Sequence, residues 1–161
     1  MLRVALPNKG ILSETAILML KEAGYATRRD AKDLHLIDAD NDVEFFYLRP
    51  RDIATYVGEG SLDAGFTGLD LLLDSRSKAV TVEDLKFGES TFRFAGPVGA
   101  FESLSELEGK RVATAYPNLV EDYLAQAGIS VTLVKLDGAV ESAVQLGVAD
   151  AVADRSEEHT S

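Results

Sequence analysis

The sequence predicts an α/β protein made of two similar lobes, each built on a mostly parallel sheet. Three observations carry that prediction. Short apolar runs rich in β-branched residues alternate with stretches of helical periodicity, the mark of strand–helix–strand units. The same order of elements occurs twice along the chain. Polar or glycine-containing turns follow the apolar runs, which is where open α/β sheets hold their ligands.

Residues 2–6 form an apolar strand ending at Pro7-Asn8-Lys9-Gly10. Ser13 then caps a helix with Ala16, Leu20 and Ala23 on one face and Gly24 at its close. Residues 33–38 and 43–48 flank Asp40-Asn41-Asp42, the pattern of a hairpin. Pro50, at the first helical position, opens a helix through Ile53 and Val57 that stops at Gly58. Leu62-Asp63-Ala64-Gly65-Phe66 reads as a short strand, and Thr67-Gly68 begins a helix bearing Leu69, Leu72 and Leu73. Residues 87–97 read as an extended crossing segment. Ser103 and Glu106 make a capping box for one helical turn ending at Gly109.

From Lys110 the pattern starts again. Arg111-Val112-Ala113-Thr114-Ala115-Tyr116-Pro117-Asn118 echoes Arg3-Val4-Ala5-Leu6-Pro7-Asn8. Asn118 is expected to cap a helix carrying Val120, Tyr123, Leu124 and Ala127, which stops at Gly128. The run 131–136 before Asp137 echoes 43–48 before Arg49, and Gly147-Val148-Ala149-Asp150-Ala151 echoes Gly60-Ser61-Leu62-Asp63-Ala64. These three echoes, with the Asn118 helix that stops at Gly128 as the Ser13 helix stops at Gly24, make four in one order and favour two lobes, residues 1–90 and 91–154, with the first lacking a returning C-terminal segment. If both lobes face one cleft, the turns at 7–10, 49, 67–70, 114–118 and 137–142 line it. The closing Arg155-Ser156-Glu157-Glu158-His159-Thr160-Ser161 is polar throughout and resembles the translation of a sequencing-library adapter. Residues 155–161 are therefore expected to be a non-native, exposed tail, and His159 to have no role.

The charge balance limits the function classes. Acids outnumber bases 27 to 16, a net charge of −11, which disfavours nucleic acid and anionic membrane surfaces. There is no cysteine, hence no disulfide frame and no thiolate metal site. No apolar run reaches membrane-spanning length, and the first residues carry no leader signature, so the expected location is the cytoplasm.

The richest stretch is 131–147. Val131, Thr132, Leu133 and Val134 read as a buried strand, and Asp137 as the cap of a helix with Ala139, Val140, Ala143, Val144 and Leu146 at helical spacing. A strand feeding directly into a helix leaves backbone N–H groups free, and small Gly138 and Ala139 let an anion approach them. The same residues are equally explained by an ordinary strand–turn–helix connection. Glu141 favours the helix dipole but repels a bare phosphate unless it faces a metal or hydroxyls.

Taken with Ala113-Thr114-Ala115-Tyr116-Pro117-Asn118, Thr67-Gly68-Leu69-Asp70 and Pro7-Asn8-Lys9-Gly10, this stretch makes the chain resemble the ATP phosphoribosyltransferase family over residues 1–154. It looks like the long form, whose catalytic part is two periplasmic-binding-protein-like (type II) lobes around a cleft, followed by a histidine-sensing domain. The resemblance implies transfer of the phosphoribosyl group of phosphoribosyl pyrophosphate (PRPP) to N1 of ATP, releasing pyrophosphate, as the first step of histidine biosynthesis. It also implies Mg2+ as cofactor, a homo-oligomer for the full-length protein, and weak or no activity for a truncated chain.

By the same resemblance Asp137, Gly138, Ala139, Val140, Glu141, Ser142 and Lys9 bind PRPP, with Asp137 toward the ribose hydroxyls or the metal. Arg49, Asp70, Tyr116 and Thr114 bind ATP. No residue is assigned as general acid or base, because neutral adenine already carries a lone pair at N1 and the demand is to hold and orient anions. His35 reads as a surface or packing residue. A cytoplasmic anion- or small-molecule-binding module of the same fold is the alternative, and turnover separates the two.

Overall fold

The computed structural model describes residues 1–88 and 90–157. The chain divides into two units, Met1–Gly88 and Glu89–Ser161, taken here one at a time.

In the first unit, strand β1 (Leu2–Pro7) lies between β3 (Val43–Leu48) and β4 (Ala64–Gly65), parallel to both. Strand β2 (His35–Asp38) pairs antiparallel with β3, so the sheet order is β2-β3-β1-β4. The period-2 alternation of β3 divides its side chains between two cores. Val43, Phe45 and Tyr47 pack with Leu6 and with Ala16 of helix α1 (Ile11–Glu22). Phe46 and Leu48 pack on the opposite face with Ala5, Leu62 and Ile53 of helix α2 (Pro50–Gly58). Full burial of each large apolar side chain contributes roughly 1.5–3 kcal/mol, so these two layers hold the sheet. A third helix, α3 (Leu69–Ser75), packs on α2.

Three expectations for this unit are corrected. Helix α1 begins at Ile11 with Gly10 as its N-cap, at φ 92°, while Ser13 is buried inside the helix and caps nothing. The backbone at residue 10 suits glycine, which is why the helix starts one turn early. Strand β4 is only two residues long. Helix α3 buries Leu71 and Asp74 and leaves Leu69 and Leu73 exposed, with Asp74 on the inward face paired to Arg51 of α2 at 2.8 Å.

In the second unit, β6 (Arg111–Thr114) lies between β7 (Thr132–Lys135) and β8 (Ala151–Glu157), parallel to both, and β5 (Ser90–Ala95) pairs antiparallel with β8. The order is β5-β8-β6-β7. Helix α4 (Pro117–Gln126) supplies Val120 and Leu124 to a core with Leu107, Val112, Ala151 and Ala153. The Ser103–Glu106 capping box forms over the 3-10 turn Leu104–Leu107. Asn118 is not the cap of α4: Tyr116 holds that position and Pro117 the first helical one, where its missing N–H is harmless.

One further expectation fails here. The segment after β7 is not an α-helix but a 3-10 turn at Val140–Ser142 followed by further turns. Ala139 adopts a left-handed conformation (φ 52°), which redirects the chain two residues after Asp137 and leaves that carboxylate without a helix to cap. In the polar stretch beginning at Arg155, backbone pairing continues for three residues. Strand β8 runs on to Glu157, with Arg155, Ser156 and Glu157 opposite Phe92, Thr91 and Ser90. Backbone pairing of this kind needs no particular side chains. Residues 158–161, His159 among them, lie outside the described residues.

The internal repeat has a structural counterpart. Asp63 accepts the Arg3 backbone N–H at 2.8 Å, and its own N–H donates to Arg3 O at 2.9 Å. Asp150 accepts the Arg111 N–H at 2.9 Å, and its N–H donates to Arg111 O at 2.8 Å. Each unit thus ties the start of its central strand to the residue before the returning one.

Candidate functional site

Within the first unit, the carboxyl ends of β1, β3 and β4 share one sheet edge. Pro7 lies opposite Leu48, the Asn8 N–H donates to Leu48 O at 2.7 Å, and the Phe66 N–H donates to Ala5 O at 2.9 Å. That edge therefore carries Lys9, Arg49 and the 67–70 turn with Asp70, three of the residues predicted to bind substrate. Lys9 is exposed. Arg49 is the N-cap of α2, its side chain 78% exposed, with Nε 3.0 Å from Asp52. Asp70 folds back so that its Oδ1 accepts the Leu71 N–H at 2.8 Å. A Cβ at Gly68 would lie 2.6 Å from that oxygen, so glycine is what lets the carboxylate close over the turn.

The turn at 8–10 is held by a residue that sequence reasoning missed. Arg28 Nη2 donates to Asn8 O at 2.6 Å, Nη1 donates to Ala31 O and Asp33 O at 3.1 and 3.2 Å, and the guanidinium lies 4.3 Å from the centroid of the Tyr47 ring. Nothing in the local pattern around Arg28 announced this, because its partners are backbone carbonyls and a distant ring.

Within the second unit, β6 and β7 end together, with the Leu136 N–H donating to Thr114 O at 3.0 Å. The 114–117 turn and the 137–142 turn thus share an edge. Thr114 is fully buried, its Oγ1 accepting the Tyr116 N–H at 3.0 Å. Tyr116 is 9% exposed, with its ring edge-on to Phe92 at 5.5 Å. Asp137, Gly138, Ala139 and Glu141 are exposed, Ser142 is half-buried, and Val140 is buried in a core with Ala113, Ala143 and Ala149. Among the described residues, the backbone N–H groups of Gly138, Ala139, Val140 and Glu141 donate to no backbone acceptor. A left-handed residue followed by a right-handed turn directs successive N–H groups to one side, the geometry of an anion-binding nest. The α-helix expected there is absent, and with it the helix dipole.

Away from these turns the electrostatics are structural. Hydrogen bonds from the Arg111 side chain, then from its backbone N–H, hold the Asp150 carboxyl below the usual carboxylate range, and Asp150 in turn raises Arg111. Backbone N–H donors from Glu102 and Ser103 lower Glu106 in its capping box. The Ala26 N–H and the Asn41 side chain lower Asp38. His35 Nε2 is 2.6 Å from Glu44 on the surface of the first sheet, in keeping with a surface or packing role. Among the described residues no group of three or more His, Asp or Glu side chains is placed to hold a metal ion.

Comparison with known proteins decides the family. The family model of ATP phosphoribosyltransferase matches residues 49–161. The ATP phosphoribosyltransferase of Paenarthrobacter aurescens (strain TC1) is 62% identical over 154 residues, covering 96% of this chain and 54% of that protein.

The chain belongs to the ATP phosphoribosyltransferase family.

The Pseudarthrobacter chlorophenolicus protein of the same name is 64% identical over 154 residues, again covering 96% of this chain and 54% of the relative. The chain therefore spans about half the length of the curated relatives it matches. A solved ATP phosphoribosyl transferase (HisG:HisZ) complex from Thermotoga maritima superposes with a TM-score of 0.83 at 31% identity, over 98% of this chain and 75% of that one. An ancestral arginine-binding protein bound to glutamine superposes with a TM-score of 0.56 at 20% identity, over 96% of this chain and 68% of that one. That likeness shows the fold alone, and with it the periplasmic-binding-protein-like, parallel-dominated α/β class. No helix among the described residues is long and apolar enough to cross a membrane.

Proposed function

We propose that the protein this chain belongs to transfers the phosphoribosyl group of PRPP to N1 of ATP, giving 1-(5-phosphoribosyl)-ATP and pyrophosphate, in the cytoplasm and as the first step of histidine biosynthesis. The observation that carries the reading is family membership at 62% identity over 154 residues. The chemistry asks the protein to bind two polyanions and to orient a ring nitrogen behind an anomeric carbon. The adenine lone pair attacks C1′, the C1′–O bond to pyrophosphate breaks, and both electrons leave with pyrophosphate.

The chain's residues take roles in keeping with that demand. The N–H groups at 138–141, with Asp137, Glu141 and Ser142 beside them, receive the 5′-phosphate and ribose hydroxyls of PRPP. Lys9 faces its pyrophosphate and Arg49 the ATP phosphates, with Asp70 toward the nucleoside. Buried Thr114 acts by holding the turn at Tyr116, which borders the nucleotide. Mg2+, bound with the pyrophosphate group of the substrate, would offset charge on the leaving group, and exposed Asp137 is the carboxylate that would meet it. The full-length protein works as a homo-oligomer, and the present chain alone is weakly active or inactive.

The test is turnover by the full-length protein. ATP and PRPP together should yield one pyrophosphate per N1-ribosylated adenine, seen as a new ultraviolet absorbance. Binding of both substrates without product would favour the binding-module alternative and overturn the proposal.

A further inference from the structure

The first unit buries two side-chain oxygens that meet no partner among the described residues, Asn8 Oδ1 and Thr67 Oγ1. Buried polar atoms are almost always hydrogen-bonded, and one left unpaired opposes folding, so a pair of them calls for an explanation. Both belong to the sheet edge that carries Lys9 and Asp70. Asn8 directly follows β1, and Thr67 lies two residues past β4. These strands are neighbours, with Ala5 opposite Gly65 and the Phe66 N–H donating to Ala5 O, so both residues follow the carboxyl ends of adjacent strands.

The backbone on either side is fixed. The Asn8 N–H is bonded to Leu48 O, Asn8 O accepts from Arg28, and the Phe66 N–H is bonded to Ala5 O. These bonds fix the backbone, so a new partner is met by a turn of the Asn8 and Thr67 side chains about their own torsions. The chemistry of the pair narrows what that partner is. An amide oxygen only accepts, and a hydroxyl can accept or donate. A phosphate offers acceptors alone and cannot satisfy Asn8 Oδ1, whereas an uncharged N–H or O–H donor satisfies both.

We propose that Asn8 and Thr67 are specificity contacts that accept hydrogen bonds from uncharged donors of the nucleotide substrate, the adenine 6-amino group or the ribose hydroxyls. The inference rests on the ATP reading above and extends it to two residues not assigned there. It carries a signature that ordinary packing would not give. Replacing an unsatisfied oxygen with a group of the same shape should leave the ligand-free protein equally or more stable while weakening the ligand.

The experiment uses the full-length protein with Thr67→Val, which keeps shape and removes the hydroxyl, and Asn8→Ala as a second variant. Thermal unfolding is recorded without ligand. Calorimetric titrations follow with ATP, 2′-deoxy-ATP, the purine analogue lacking the 6-amino group, and PRPP. Thr67→Val should unfold at the same or a higher temperature, bind ATP about 3–10-fold more weakly, and bind PRPP as the parent does. The analogue lacking the bonded donor should lose nothing further on mutation, which identifies that donor. A lower unfolding temperature with unchanged ATP affinity would mean the oxygens hold a structural water and would overturn the proposal. So would a loss that persists undiminished with both analogues. Failure of the unmutated protein to bind ATP would instead overturn the proposed function, and this inference with it.

Discussion

Replacing Arg28 with methionine should destabilise the first unit and loosen the turn that presents Lys9. Methionine keeps the apolar stem and removes the charge and all the side-chain donors. What is lost can be read from the geometry. The bond to Asn8 O is short, at 2.6 Å, and partly buried, and a charge-assisted bond of that kind contributes about 1.5 kcal/mol. The bonds to Ala31 O and Asp33 O are exposed and together add roughly 0.5 kcal/mol. The guanidinium over Tyr47, at 4.3 Å, adds on the order of 0.5–1 kcal/mol. The bond from the Arg28 backbone N–H to Tyr47 OH survives the change. The expected loss is about 2.5 kcal/mol, or a fall of roughly 1–2 M in the urea midpoint with the slope unchanged. Amide exchange should quicken at Asn8, Lys9 and Gly10 while Phe45 stays protected. Arg28→Lys, which keeps the charge and can satisfy one carbonyl, should fall between. A loss below about 0.5 kcal/mol for methionine, or lysine indistinguishable from it, would refute the idea that this guanidinium holds the turn.

Three more outcomes are expected. Gly138→Val should leave stability within about 0.5 kcal/mol, because no atom lies within 4 Å of a Cβ there, yet should sharply reduce PRPP affinity by calorimetry; Ala139→Gly, relieving the left-handed alanine, should stabilise by about 1 kcal/mol in urea unfolding. Gly58→Ala should destabilise by roughly 1–3 kcal/mol despite alanine's better helix propensity, since the new Cβ would fall 2.1 Å from Ser77 Oγ, itself bonded to Ala54 O at 2.5 Å. Asp38, Glu106 and Asp150 are all held below their usual values, so the stability they give is present above the unfolded-state values near pH 4 and is lost as pH falls through the lower native ones; urea midpoints measured down that acid limb should fall less steeply in Asp150→Asn.

How far the fold was legible depended on what each element's signal rested on. The hairpin at 35–48, the α2 start at Pro50 and the Ser103–Glu106 box were readable because each rests on residues adjacent in sequence. Helix starts at Ser13 and Asn118 were misplaced because the true caps, Gly10 and Tyr116, make no side-chain cap hydrogen bond and so leave no capping signature. On α3, Leu69, Leu72 and Leu73 do not define the inward face, because the buried positions are Leu71 and Asp74, the latter paired with Arg51 of a neighbouring helix that local spacing does not show. The segment at 137–147 carried helical spacing, but the left-handed backbone at Ala139 set its course. At the candidate site, the turns were legible by position, since they follow strands. Arg28 and Thr67 were not, since what marks them is a tertiary partner or the lack of one.

The repeat also separates two tasks along each strand. The matching residues Arg3 with Asp63 and Arg111 with Asp150 stand at the amino ends of β1 and β6, where they close each unit on itself with the same pair of backbone bonds. The turns at the carboxyl ends differ. The first unit offers Lys9 and Arg49, two exposed cations, beside two neutral oxygens that meet no partner among the described residues. The second offers backbone N–H groups that meet no backbone acceptor among the described residues, beside exposed acids. A duplicated scaffold keeps the clasp its folding needs, and although both halves also carry Pro-Asn after the central strand, the charge borne by their turns differs. Difference between them concentrates at the ends where parallel sheets bind ligands. Exchanging the Asp63 or Asp150 clasp for alanine should accordingly lower the unfolding temperature of the unit that holds it, and leave ligand selectivity unchanged in whatever fraction remains folded.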